Sequence, residues 1–142
     1  MVSTAARVFG IIYILVGILG FVPGISPPVP TDVAQAHPLL IGLGYNNVLG
    51  LFTVNAIHDL VHILIGIWAL VAAASIGASR SFFRSITVVF VLLVVLGIIP
   101  ATATLFGLAP LFGADVLLHV LTAVVAAYLG WGAATTENRT AI

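Results

Sequence analysis

Apolar positions fill four runs of this chain, at roughly Ala5 to Val22, Ala56 to Ala78, Phe82 to Phe106 and Asp115 to Thr135. Each is long enough for the roughly 20 helical residues that a bilayer core requires. The interruptions agree with helix ends: Pro23 and Gly24 stop the first run and Gly77 the second, Ser79 and Ser81 can cap the third, and Gly113 with Asp115 can start the fourth. The pattern predicts an all-α fold, a four-helix transmembrane bundle forming a single domain over residues 1–142. Pro100 is expected to kink the third helix by freeing the Leu96 carbonyl. Only one connection is long, residues 24–54, rich in proline and glycine. Its apolar groups Leu39, Leu40, Ile41 and Phe52 predict an ordered loop folded onto one end of the bundle.

The polar residues inside the spans fall at helical spacing. Asn55, His58, His62, Gly66, Ala69, Ala73 and Gly77 recur in steps of three or four and share one stripe, and Asp115, His119, Ala123, Ala126 and Gly130 make another. Small residues let helices approach closely in lipid, where packing and interhelical hydrogen bonds replace the hydrophobic drive. The two stripes are therefore expected to be interior, with the second and fourth helices as neighbours. Gly10, Gly17 and Gly20 give the first helix a similarly thin side. By the 1.5 Å rise, His62 lies about 10 Å below Asn55 and His119 about 6 Å below Asp115, so the imidazoles reach comparable depths. Asp59 with His62 echoes Asp115 with His119, a faint sign of a duplicated two-helix unit whose register slips by one residue.

Composition fits this picture and narrows the function. Hydrophobic residues make up 62% of the chain and charged residues 6%, with a mean hydropathy of +1.32. Four basic and four acidic residues supply no field for nucleic acid. The absence of cysteine excludes disulfides and thiolate chemistry. All four cations, Arg7, Arg80, Arg84 and Arg139, fall on the side shared by the two termini, which the positive-inside rule makes cytoplasmic. His37 and Asp32 then lie in the outer loop, and His58, Asp59, His62, Asp115 and His119 enter the membrane from outside. Tyr128, Trp131, Phe82 and Phe83 suit an inner interfacial belt, whereas Trp68 falls mid-span. Arg7 before an apolar run and the small-x-small triplet Ala34-Gln35-Ala36 resemble a signal peptide, but the triplet is too far downstream and the first span is expected to be retained. The Asn138-Arg139-Thr140 sequon would sit on the cytoplasmic tail and reads as chance.

Four readings compete for Asn55, His58, Asp59, His62, Asp115 and His119. "HDLVH" stands one methylene from the zinc-protease signature H-E-x-x-H, and Asp115 could be offered as a third ligand, yet Asp59 is too short to reach the position of the catalytic glutamate. Haem or a divalent metal is a second reading, with His62 and His119 as axial ligands or His58, His62 and His119 as three facial nitrogens. The bulky apolar residues, however, leave no obvious room for a macrocycle. The third is structural: Asn55 and Asp115 as N-caps, Asp59 favoured by the helix dipole, and His62 and His119 bonding across helices or to the folded loop. Transport or proton relay would need a pathway that four helices hardly provide, though an oligomer could.

The stretches "LGLFTVNAIHDLVHILIG" (49–66), "ADVLLHVL" (114–121) and "LVGILGFVPG" (15–24) make the chain resemble a family of small four-helix bacterial membrane proteins, domain of unknown function 4383. Asn55, His58, His62, Asp115 and His119 match its pattern. Asp59 stands where asparagine is common, and Val116 and Leu117 where asparagine and tryptophan are. The resemblance implies the fold and a multi-pass location in a bacterial cytoplasmic membrane, brings no established activity, and weakens the protease reading because an amide is no general base. The resulting expectation is a non-enzymatic membrane protein acting through packing or partner binding. Lipid is the expected surrounding, a homo-oligomer or larger membrane complex is open, and no cofactor is expected beyond the haem or metal alternative.

Overall fold

A computed structural model of the protein describes residues 1–40 and 44–132. Its first helix, α1, is Val2–Gly20. It packs antiparallel on α3, Ala56–Ala72, and the approach depends on glycine: a methyl group on Gly10 would stand 2.7 Å from the Gly66 carbonyl oxygen, and one on Gly66 equally close to that of Gly10. α3 starts where Asn55 accepts a hydrogen bond from the His58 amide. It ends earlier than expected. The second span does not run to Ala78 with a stop at Gly77. Instead the chain turns at Ala73-Ala74-Ser75, and the Ser75 hydroxyl caps the Ala78 amide at 3.1 Å to open α4, Ile76–Ile98. Ser79 and Ser81 are therefore interior to α4, and Trp68 lies one turn from the end of α3 rather than mid-span. Alanines continue the apolar run through the turn, so hydropathy carries no mark of it.

Pro100 ends α4 instead of kinking it. The Leu96 carbonyl is released as anticipated, and the Thr102 hydroxyl donates to it at 2.7 Å. The expected helical stretch to Phe106 is a compact loop, residues 99–112, with Leu105, Phe106 and Gly107 all left-handed at φ 47°, 57° and 85°. α5 then runs over Ala114–Ala127 and continues as a π-helical turn, Tyr128–Gly132. Its N-cap is Gly113, so Asp115 sits in the first turn and not at the cap. Residues 133–135 of the expected fourth span, Arg139 and the sequon lie outside the described residues.

The described part of the long connection holds one surprise for an all-α reading. Beside the short helix α2, Thr31–Ala36, it forms an antiparallel hairpin of β1, Asn46–Val48, and β2, Phe52–Val54, with Asn47 opposite Thr53. Leu49 and Gly50 turn it with positive φ, and the aromatic and β-branched residues of β2 favour the strand. Tyr45, Val48 and Val54 supply the buried apolar surface. Leu40 does not: its side chain is exposed, while its amide donates to the Gly107 carbonyl at 2.9 Å. Ile41 lies outside the described residues.

Helix pairing also departs from expectation. α1 packs with α3 and α4 with α5. α3 and α5, expected as neighbours, meet through their histidine rings. Three helices, α1, α4 and the stretch Ala114–Gly132, are long and apolar enough to cross a membrane, and α3 is a shorter apolar helix of 17 residues. Broad apolar exposure, including Leu15, Leu64, Val88, Leu92 and Val124, fits a protein that meets lipid.

Candidate functional site: an imidazole cluster

Asn55 is 1% exposed and ties two segments together. Its side-chain oxygen accepts from the His58 amide at 2.9 Å, and its Nδ2 donates to the Leu108 carbonyl at 2.8 Å. One turn further, His58 lies 3.0 Å through Nδ1 from the Pro110 carbonyl. A carbonyl only accepts, so Nδ1 carries the proton and, in the neutral ring, Nε2 keeps a bare lone pair. His62 repeats the arrangement with the His58 carbonyl, at 3.1 Å. The start of α3 is thereby fastened to the loop between α4 and α5.

The rings form a column. Phe9 stacks on Tyr13 with centroids 4.0 Å apart, Tyr13 on His62 at 5.1 Å, His62 on His58 at 4.7 Å, and His58 faces His119 at 6.5 Å, every pair within 19° of parallel. Phe90 stands edge-on to Tyr13 and to His119. The Tyr13 hydroxyl meets the Thr122 hydroxyl at 3.2 Å. Residues from α1, α3, α4 and α5 thus share one assembly, and Tyr13, Phe90, Thr122 and the Leu108 and Pro110 carbonyls were absent from the sequence-based set. An aromatic hydroxyl in the middle of the first span was a usable signal for Tyr13. Backbone carbonyls leave none.

The two carboxylates stand aside. The Asp59 carboxyl group occupies the space a Gly20 side chain would fill, on the α1 face, instead of the space between His58 and His62. Asp59 and Asp115 are each 2% exposed, and in each Oδ2 has no hydrogen-bond partner among the described residues; the same holds for Nδ1 of His119. A base held against Gly20 is not placed to activate water on an ion between the two histidines. Among the described residues no group of three or more His, Asp or Glu is arranged to hold a metal ion. Parallel rings explain this: their lone pairs run in parallel planes and do not converge at the roughly 2.0–2.1 Å that a metal requires.

A cavity of about 70 Å³ opens beside the column, bounded by His58, His62 and His119 together with Phe90, Leu93 and Leu105. Binding pockets for drug-sized ligands begin near roughly 300 Å³, so a macrocycle does not fit. The sequence matches the family described as Domain of unknown function (DUF4383) over residues 3–132. The chain belongs to that family. The DUF4383 match runs from α1 through the π-helical turn and so contains every residue of the cluster. No curated protein and no solved structure matches the chain.

Proposed function

We propose that this is a non-enzymatic protein of a bacterial cytoplasmic membrane that crosses the bilayer four times, with both termini inside, and works through helix packing and partner helices. The Asn55, His58, His62 and His119 cluster acts as its polar seam. The observation that carries this reading is the double engagement of Asn55, which bonds the His58 amide and the Leu108 carbonyl at once. The second bond fastens the start of α3 to the loop between α4 and α5, where apolar contact alone discriminates little between protein and lipid. The 17 residues of α3 lie at the short limit of a helical crossing, about 17–25 residues. The orientation is supported by Arg7, Arg80 and Arg84, which share the end where Ser3 meets Ser79, opposite the histidines.

The test is to purify the protein in detergent, record its visible spectrum and metal content, and compare the thermal stability of wild type and Asn55→Ala. The seam reading expects a featureless visible spectrum, substoichiometric metal and a clear loss of stability in the variant. A Soret band or stoichiometric metal that disappears in His62→Ala or His119→Ala would overturn it in favour of a cofactor protein. Reporter fusions active only in the cytoplasm are expected to work at both termini.

A further inference from the structure

Three hydrogen-bonding rings border the cavity without using their full capacity. His58 and His62 each engage a backbone carbonyl through Nδ1, which leaves Nε2 of the neutral ring as an acceptor, and Nδ1 of His119, a residue 2% exposed, has no hydrogen-bond partner among the described residues. Leaving a buried polar group unsatisfied costs roughly 1–3 kcal/mol, and in hydrocarbon no solvent relieves it. The void has room for about two water-sized groups at roughly 30 Å³ each. Its remaining walls are apolar, and neither Asp59 nor Asp115 lines it, so nothing there balances a charge. Val61, half-exposed on the outer face of α3, stands at its rim.

We propose that the cavity binds a small uncharged molecule carrying a hydrogen-bond donor on an apolar body, of which a short primary alcohol is the simplest member, and admits it past Val61 from the lipid side. The donor bonds an imidazole Nε2, the one kind of site that the Nδ1–H tautomers of His58 and His62 leave open. The body covers Phe90, Leu93 and Leu105. Water fills the same volume but leaves those contacts unmade, and an ion meets no opposite charge. The proposal rests on the seam reading for the placing of the rings.

The experiment is a titration of ¹⁵N-histidine-labelled protein in lipid nanodiscs with 1-propanol, following the imidazole nitrogens by NMR. Saturable shifts at Nε2 of His58 or His62 are expected, weakened roughly tenfold in affinity by Val61→Trp, which plugs the rim from an exposed position. Propionate and xenon are expected to leave those nitrogens unmoved. Shifts that never saturate, that persist unchanged in Val61→Trp, or that xenon reproduces would overturn the proposal. If Asn55→Ala still loses stability while propanol leaves the rings untouched, the ligand site alone fails. If Asn55→Ala is as stable as wild type, the seam reading fails with it.

Discussion

At the arginine end of the molecule Ser79 has no exposed surface, and its hydroxyl lies 2.8 and 3.0 Å from the Ser75 and Ala72 carbonyls and 3.3 Å from the Ser3 hydroxyl. At the histidine end the buried Ser26 hydroxyl has no partner among the described residues, and the same is true of Asn47 Oδ1, Asp59 Oδ2, Asp115 Oδ2 and His119 Nδ1. The first region also holds most of the aromatic core, in which Phe82, Phe83 and Ile86 pack with Phe9, Ala69 and Ala126, and its void, about 570 Å³ along Met1, Val8 and Phe9, is an apolar surface groove. The second has a smaller cavity, of about 70 Å³, bordered by three imidazoles. Buried polar groups cost stability unless bonded, so the arginine end has the composition of a foundation. The histidine end keeps unmet bonding capacity of the kind that sites for other molecules display.

Substitutions can break or sharpen this contrast. The largest effect is expected at the packed end: Phe83→Ala should lose about 3–5 kcal/mol, read as a lowered midpoint in reversible denaturation from mixed micelles. Asn55→Ala comes next, at roughly 2 kcal/mol, because it removes a cap and strips a partner from Leu108. Asn55→Asp keeps the capping oxygen but cannot donate, so it should recover part of that loss. Ser79→Ala should cost about 1 kcal/mol. The smallest effect belongs to the unsatisfied atoms: Asp59→Asn should change stability by less than about 0.5 kcal/mol, or raise it, since an amide is cheaper than an acid inside a membrane helix. A loss in Asp59→Asn as large as in Asn55→Ala would erase the distinction between the ends.

Much of this was legible in the sequence. The i, i+4 spacing of His58 and His62 and the position of His119 on its own stripe brought the three imidazoles together without coordinates. Asn55 before an apolar run read as a cap and is one. The hairpin of β1 and β2 escaped notice because three-residue strands are too short for periodicity to register. The end of α3 escaped because alanines cross the turn without a drop in hydropathy. The Asp115 expectation failed by two residues: Gly113, with φ of 70°, takes the capping place. Side-chain type alone also cannot tell which face an acid takes, and Asp59 went to Gly20 because that glycine leaves room for its carboxyl group.

The unequal lengths of two adjoining helices have a mechanical corollary. α3 has 17 residues and α4 has 23, or about 25 Å against about 34 Å along their axes. In the proposed disposition the hydrocarbon slab must thin beside one helix, while the other leans to stay covered, and each ångström of disparity carries a fraction of a kcal/mol. Bilayer thickness thereby becomes a variable to which this protein responds, and short-chain lipids should gather along its α3 flank.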